Sequence, residues 1–274
     1  MIPCAIWTMG VAFEKYEGLG NDFVVVEGER EEDVSPELAR SMCDRRFGIG
    51  ADGVLLILPP SSGEAHGRMR VINADGSVPE MCGNGLRCAV LHLARQRSLA
   101  DVRFETDAGL KACRVEDAHG EGIVTVDMGI VRFTGDAHVE LDGDRWDLAL
   151  GDAGNPHAIT VRPAERATID AVGPRLATHP MFAAGTNVEF AVYRGREIDL
   201  VVWERGVGVT HACGTGACAT VAVGVAKGWA PRGVEVAVHL PGGTLFVTIT
   251  ERDHAIMRGP ARHVFTGAYE VRRA

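Results

Sequence analysis

The chain has 274 residues, of which 46% are hydrophobic and 24% are charged, and its formal net charge at pH 7 is -9. This composition is typical of a folded protein with a hydrophobic core, and the length is sufficient for two domains. The acidic balance argues against a surface that binds nucleic acid or anionic membranes, and no apolar run has the length of a membrane span.

Short segments rich in β-branched residues dominate the chain, and Gly, Pro, Asn and Asp separate them. Helices are few. The pair Ser35-Pro36 predicts a helix start that leads into residues 38–46, and a second short helix is predicted over 170–178. Strands are predicted over residues 24–26, 54–58, 68–72, 102–106, 123–128, 158–161, 188–193, 198–203, 234–240, 245–250 and 268–271.

Two further helices, over residues 86–97 and 217–227, follow glycine-rich turns. The second is apolar all the way round, so protein must bury it on every side. Because most of the remaining chain is strand, we expect a short helix enclosed by a curved sheet.

Cysteines occur at positions 4, 43, 82, 88, 113, 213 and 218. Residues 1–11 carry no basic region or cleavage site of a signal peptide, and Met9 is an alternative start. The odd count without an export signal predicts reduced thiols in the cytoplasm. No pair has the CxxC spacing of a structural zinc site, so no metal site is expected. All except Cys82 and Cys213 are interpreted as small buried hydrophobic residues.

The two glycine-rich turns form an internal repeat. Met81-Cys82-Gly83-Asn84-Gly85 precedes one helix and Ala212-Cys213-Gly214-Thr215-Gly216 precedes the other, with the cysteines 131 residues apart (213 − 82). A fainter echo links residues 20–23 with 185–190. The pattern predicts two similar halves, each of which presents one cysteine at the start of its central helix.

Cysteines in this position can serve as a pair of acid and base. The first N–H groups of a helix have no internal partner, and the positive end of the dipole favours an anion and a thiolate. Two such turns across a cleft would bind one carboxylate and flank its α-carbon. One thiolate then removes the α-proton while the opposite thiol returns a proton to the other face. A phosphate is the competing ligand for such turns.

The chain resembles the diaminopimelate epimerase family along essentially its whole length. The matching segments are Gly18-Leu19-Gly20-Asn21-Asp22-Phe23, Phe47-Gly48-Ile49-Gly50-Ala51-Asp52-Gly53, Asn73-Ala74-Asp75-Gly76-Ser77, the Cys82 turn, Gly154-Asn155-Pro156-His157, Gly185-Thr186-Asn187-Val188-Glu189-Phe190, Glu204-Arg205-Gly206 and the Cys213 turn extended to Ala219. The resemblance implies interconversion of L,L- and meso-diaminopimelate for lysine and peptidoglycan, without a cofactor, in a cytoplasmic homodimer.

The resemblance also implies a fold and a set of site residues. The fold is α+β, with two pseudo-symmetric β-rich domains, each a curved sheet or barrel around a central helix. One domain comprises residues 1–126 and 264–274, and the other comprises 127–263. Cys82 and Cys213 would be catalytic, and His157 and Glu204 would assist thiol deprotonation. The substrate-binding residues would be Asn21, Asn73, Gly83, Asn84, Asn155, Asn187, Glu204, Arg205, Gly214 and Thr215.

Two positions depart from the family pattern. Val209 stands where family members usually have Glu, which removes a carboxylate near the second cysteine turn and bears on substrate fit. Gly53 stands where some relatives have Gln, and no binding role is assigned to it.

Alternative interpretations stay open at the level of sequence. Asn21, Asn73 and Asn155 have the neighbours of turn residues, His157 could be a core histidine, and Glu204 with Arg205 could be a solvated pair. The nearest rival function is another cofactor-independent racemase, acting on proline or histidine. A thiol redox protein and a non-catalytic binding module are more distant rivals, since redox cysteines are usually adjacent in sequence.

Overall fold

A computed structural model describes residues 10–79, 82–119 and 122–271. Cys4 and the alternative start at Met9 lie outside the described residues. The helices are α1 (Pro36–Cys43), α2 (Gly83–Arg97), α3 (Arg166–Ala177) and α4 (Gly214–Ala226), with a 3-10 turn at Glu31–Asp33. The strands are β1 (Val11–Gly18), β2 (Asn21–Glu27), β3 (Gly53–Leu58), β4 (Gly67–Asn73), β5 (Asp101–Thr106), β6 (Gly109–Glu116), β7 (Ile123–Ile130), β8 (Arg132–Leu141), β9 (Asp144–Asp152), β10 (Pro156–Thr160), β11 (Asn187–Arg194), β12 (Glu197–Glu204), β13 (Gly208–Val209), β14 (Val236–Leu240), β15 (Gly243–Ile249), β16 (His254–Pro260) and β17 (Arg262–Tyr269).

The strands form two runs with the same pattern of pairing. One run is β17-β1-β2-β3-β4-β5-β6-β7, and the other is β8-β9-β10-β11-β12-β14-β15-β16. In both, the third strand pairs in parallel with the fourth and the fifth with the sixth, and all other neighbours are antiparallel. An antiparallel β7–β16 pair joins the runs. The predicted α+β fold of two pseudo-symmetric, β-rich domains is confirmed.

A central helix runs through each half. Residues 83–94 of α2 are all buried, and so is nearly all of α4 up to Gly224. Both helices and the strands of both runs contribute to one continuous hydrophobic core. The prediction that the sheet encloses α4 is therefore correct, because its apolar residues meet sheet on every side.

The two remaining helices lie on the outer faces of the sheets. Ser35 caps α1 by accepting a hydrogen bond from the Leu38 N–H at 3.2 Å, which is the helix start that the sequence predicts. α1 covers an outer cluster around β3, and α3 covers the equivalent cluster around β11. Among the described residues, no helix combines the length and the apolar character that crossing a membrane requires.

The last strand returns to the first half, because β17 pairs with β1 from Val11 opposite Tyr269 to Glu17 opposite Arg262. The expected domain limits at residues 126/127 and 263/264 fall inside β7 and β17, so those limits stay a prediction. The change of half in the strand pairing comes between β7 and β8, and again between β16 and β17.

Candidate active site

The two cysteine turns have nearly the same conformation. Cys82 is the N-cap of α2, with φ/ψ of -139/106°, and Cys213 is the N-cap of α4, with -128/109°. In each turn the sulfur accepts a hydrogen bond from the backbone N–H three residues later, at 3.3 Å for Gly85 and 3.4 Å for Gly216. Each thiol thus takes the place of the usual Ser or Asp cap and satisfies one free N–H group of the helix.

The turns meet through their first glycines. A Cβ atom added to Gly83 would lie 3.6 Å from the Cα atom of Gly214, and the converse distance is also 3.6 Å. Met257 packs against both, and its sulfur would lie 3.1 Å from a Cβ atom at Gly214. Glycine at these positions therefore lets two helix N-termini approach closely and face one ligand.

Both turns line one cleft of about 720 Å³. Ten of the predicted site residues line it: Asn21, Cys82, Gly83, Asn84, Asn155, Glu204, Arg205, Cys213, Gly214 and Thr215. Lys111 of β6 also lines it and was not among the residues predicted from the sequence. Residues 131 apart in the chain are thus brought to a single cavity, as the two-thiol hypothesis requires.

Three predicted binding or assisting residues, Asn73, Asn187 and His157, do not line the cleft. The Asn73 side chain donates to the Ser77 hydroxyl at 2.9 Å and closes a turn. The Asn187 side chain accepts the backbone N–H of Arg205 at 2.9 Å, so it positions a cleft residue. His157 is buried and bonds Asn155 at 2.9 Å.

The Asn84 side chain connects the two halves. Its amide nitrogen donates to the carbonyl of Ala212 at 3.0 Å and to the Asn21 side chain at 3.2 Å. Its oxygen accepts from Arg87 at 3.0 Å. Because the side chain is fully occupied, the backbone N–H of Asn84 is the group that remains for a ligand.

Arg87 is fully buried beneath the Cys82 turn and was not predicted as a site residue. Its guanidinium donates to neutral acceptors, including the carbonyl of Pro260 at 3.2 Å. Among the described residues, no carboxylate lies within ion-pair distance of it. This buried cation adds to the positive potential of the helix N-terminus.

Glu204 ends β12 beside Cys213 and accepts a hydrogen bond from the Thr210 hydroxyl at 2.5 Å. Burial raises the pKa of the Glu204 carboxyl, and the Thr210 and Cys213 side chains partly oppose the rise by hydrogen bonding. A buried carboxyl with a raised pKa can exchange a proton with a neighbouring thiol near neutral pH.

The expected lowering of the thiol pKa values is wrong for this structure. Burial raises the pKa of Cys82 from 9.0 to about 11, although the Gly85 N–H and Arg87 oppose the rise. Burial also raises the pKa of Cys213, and the carboxylates of Glu204 and Glu189 raise it further. Desolvation outweighs the helix dipole here, so the resting thiols are protonated and need a proton acceptor.

Glu189, in the middle of β11, lies beneath the Cys213 turn and was not predicted. It is fully buried, and its Oε1 atom lies 2.6 Å from Nδ1 of His157. Burial raises the pKa of its carboxyl, and His157 opposes the rise. A lone acidic residue inside an apolar strand was the signal in the sequence that could have found it.

The two departures from the family pattern have different surroundings. Val209 pairs with Trp203 through β13 and packs against the outer core of the second half, away from the cleft. Gly53 pairs with Asn73, and an added Cβ would lie 2.9 Å from the carbonyl oxygen of Ile72. Neither residue lines the cleft.

Solved structures with the same fold define the class of protein first. A probable proline racemase from Agrobacterium radiobacter K84 has a TM-score of 0.72 and 18% identity, covering 93% of this chain and 92% of that one. A PhzF-family phenazine biosynthesis protein from Bacillus anthracis has a TM-score of 0.70 and 18% identity, covering 95% and 99%. These likenesses establish the two-domain fold that racemases and PhzF proteins share.

Sequence comparison then gives the family. The family model described as Diaminopimelate epimerase matches residues 13–134 and 150–264. The protein named diaminopimelate epimerase from Gloeothece citriformis (strain PCC 7424) is 43% identical, covering 96% of this chain and 100% of the relative. Its namesake from Desulfitobacterium hafniense (strain DSM 10664 / DCB-2) is 40% identical, covering 92% and 96%. The chain belongs to the diaminopimelate epimerase family and is an isomerase, which confirms the resemblance.

Proposed function

We propose that this enzyme converts L,L-2,6-diaminopimelate to meso-diaminopimelate with Cys82 and Cys213 as opposed base and acid. The observation that carries the proposal is the shared cleft: the two cysteines cap α2 and α4, and these helices meet at Gly83 and Gly214. A thiol from each half therefore reaches one small molecule.

Inversion of the α-carbon needs proton removal from one face and proton return on the other. The thiolate of one cysteine takes the α-proton while the thiol of the other donates its proton, and the roles exchange in the reverse direction. Backbone N–H groups at Gly83, Asn84, Gly214 and Thr215 stabilise the carboxylate as charge develops on it. Each donor of this kind is worth roughly 3 kcal/mol in the transition state.

The first step requires one thiol to lose its proton, and the Cys213 side has the acceptors for it. Glu204 hydrogen-bonds this thiol, and His157 lies close enough to influence the Glu204 carboxyl electrostatically. Because the thiol pKa values are raised, deprotonation through these groups is more favourable than direct loss of the proton to water.

The charged residues of the cleft favour a substrate with a second amino-acid group. Arg205 and Lys111 are cations on the cleft wall, and Asn21 and Asn155 are polar groups beside them. A small cyclic substrate such as proline has no group for the two cations. With the family membership, this favours diaminopimelate over the proline or histidine alternative.

The remaining parts of the proposal concern the setting of the enzyme. We infer a homodimer, which agrees with the exposed Val264 and Phe265 on β17. We infer a cytoplasmic location, which agrees with the free thiols at all six described cysteines. We also infer a role in making lysine and peptidoglycan precursors, with no cofactor, metal, nucleic-acid or membrane partner.

Deuterium uptake tests the proposed reaction. Purified enzyme is incubated in deuterated water with L,L-diaminopimelate, L-proline or L-histidine, and α-carbon deuterium is measured by mass spectrometry together with the isomer ratio. Deuterium should enter diaminopimelate alone as the meso isomer forms. Uptake into proline or histidine only would reject the proposal, and binding without exchange would indicate a binding module.

A further inference from the structure

The pseudo-symmetry identifies equivalent residues around the two cysteines. In the first half, Phe23 of β2 pairs with Gly53 of β3, and Gly53 pairs in turn with Asn73 of β4. In the second half, His157 of β10 pairs with Asn187 of β11. Because Val188 pairs with Trp203, the neighbouring Asn187 lies opposite Glu204 of β12, and these three residues form the corresponding row. The same register makes Leu55 equivalent to Glu189.

An independent contact supports the last equivalence. A Cβ atom on Gly85 would lie 2.9 Å from Cδ2 of Leu55, and a Cβ atom on Gly216 would lie 3.0 Å from Oε1 of Glu189. Leu55 thus packs beneath Gly85, three residues after Cys82, and Glu189 packs beneath Gly216, three residues after Cys213. Phe23, Leu55 and Asn73 of the first half therefore occupy the positions that His157, Glu189 and Glu204 occupy in the second half.

A hydrogen-bonded chain runs from Glu189 to the cleft. Glu189 Oε1 is 2.6 Å from His157 Nδ1, and His157 Nε2 is 2.9 Å from the side-chain oxygen of Asn155, which lines the cleft. The Oε2 atom of Glu189 is buried and has no partner among the described residues. Such a carboxylate, with one oxygen committed to an imidazole, resembles the orienting member of a catalytic triad.

The contacts of His157 define how many protons this pair holds. Because the Asn155 oxygen accepts, Nε2 carries a proton, and a second proton lies between Nδ1 and Oε1. The pair is then an imidazolium facing a carboxylate, with no net charge. Burial raises the pKa of the Glu189 carboxyl, which further helps the pair to keep its proton.

We propose that Glu189 is a positioning residue that orients His157 and serves as its counter-ion, so that His157 holds a positive charge near Glu204 while Glu204 accepts the proton of the Cys213 thiol. The S–H bond of Cys213 breaks and an O–H bond forms on the Glu204 carboxylate. The products are a thiolate and a carboxylic acid, and the His157–Glu189 pair keeps both of its protons. This inference rests on the proposed two-thiol function.

Because the thiol proton stays within the protein in this step, the proposal predicts a particular pH dependence of kcat/KM. In the wild-type enzyme, kcat/KM should be nearly independent of pH around neutrality, because no proton is exchanged with water. In Glu189→Gln, His157 has no counter-ion, so Glu204 loses the nearby positive charge that favours its ionised form and the thiol proton must go to solvent. The titratable groups that interact with Glu189 are His157, Glu204, Cys213 and Tyr193.

The test compares Glu189→Gln, Glu189→Leu and a matched control, Glu27→Gln. Gln preserves the size and a hydrogen bond, and Leu copies the residue of the other half. Glu27 lies 2.9 Å from the buried His92, so its substitution disrupts a histidine–glutamate pair away from the cleft. We expect both Glu189 variants to lose roughly 10²- to 10⁴-fold in kcat/KM, as general acid–base groups do. The log of kcat/KM should then rise with pH by about one per unit.

A nuclear magnetic resonance spectrum of the substrate-free enzyme separates this inference about Glu189 from the proposed epimerase function. In ¹⁵N-histidine-labelled wild type, the His157 Nδ1 proton should resonate far downfield, and it should vanish in Glu189→Gln but persist in Glu27→Gln. Wild-type kinetics and pH slope in Glu189→Gln, with a defect only in Glu189→Leu, would show a purely packing role. A normal spectrum in an enzyme that does not exchange diaminopimelate would reject the proposed function and leave the pairing intact.

Discussion

Val126 of β7 lies directly opposite Met257 of β16, and the two residues are 131 positions apart (257 − 126), the same separation as Cys82 and Cys213. The pseudo-two-fold axis therefore passes through this pair of strands. Met257 also contacts the first glycine of each cysteine turn. The axis that relates the halves thus passes close to both cysteine turns, as the proposed two-thiol mechanism requires.

Replacement of either cysteine by serine should abolish racemisation. Because each thiol serves one face, Cys82→Ser and Cys213→Ser should each lower kcat/KM for epimerisation by roughly 10²- to 10⁴-fold. Residual α-proton exchange on one diaminopimelate isomer can survive, since the remaining thiol still reaches its face. Chiral chromatography and deuterium uptake measure the two rates separately.

Cys218→Ala is the matched control for these variants. Cys218 lies on α4, is buried in the core and does not line the cleft. Its replacement should leave the epimerisation rate within about twofold of wild type, because a buried cysteine acts as a small hydrophobe. Equal losses in all three variants would mean that the cysteines support folding rather than catalysis.

Oxidation should inactivate the enzyme reversibly. The turns that carry Cys82 and Cys213 meet at their glycines, so mild oxidant should join the two sulfurs, and reductant should restore activity. Peptide mapping under non-reducing conditions should recover a cross-linked peptide that contains both residues. Activity that is unaffected by oxidants and by thiol alkylation would contradict the two-thiol mechanism.

Gly185→Ala should impair substrate binding through Arg205. Gly185 has a φ of +71°, and an added Cβ would lie 2.8 Å from Cδ of Arg205 and 3.0 Å from the carbonyl of Ala177. Backbone strain costs about 1–2 kcal/mol, and the clash displaces a cleft cation. KM should rise roughly tenfold, equivalent to about 1.4 kcal/mol, with a smaller change in kcat.

Gly195→Ala isolates the strain from the clash. Gly195 has nearly the same φ of +70°, but none of the described residues has an atom within 4 Å of an added Cβ. Its urea denaturation midpoint should fall while KM stays unchanged. If both variants raise KM equally, the effect comes from lower stability and not from Arg205.

The sequence predicted the parts of the fold whose signals are local. A few residues are enough to predict the apolar segment of α4, the cap at Ser35, and strands β3 and β11. Strands with exposed polar residues were missed, including β1, β8 and most of β17. In β8, side chains alternate between exposed and half-buried up to His138, so no apolar run marks it.

Candidate site residues can be recognised from the sequence where they lie in a repeated motif, and cannot be recognised where their surroundings depend on strand register. Both cysteine turns are visible as sequence, and so is their pairing. Glu189 acquires its meaning only because β10 and β11 pair in parallel, which places it beneath Gly216 and beside His157. The burial of Arg87 also depends on the sheet around α2, which no local pattern within the helix indicates.

Alkylation of the free enzyme should report the raised thiol pKa values. Iodoacetamide reacts with the thiolate, so a pKa of about 11 at Cys82 in place of 9.0 should slow its modification at pH 8 to 9. The rate at Cys82, followed by peptide mass spectrometry, should rise about tenfold per pH unit through this range. In urea-unfolded protein, the midpoint of this pH dependence should return to near the ordinary thiol pKa. A midpoint below 9.0 in the folded enzyme would mean that the helix dipole and Arg87 outweigh burial, and that Cys82 needs no proton acceptor.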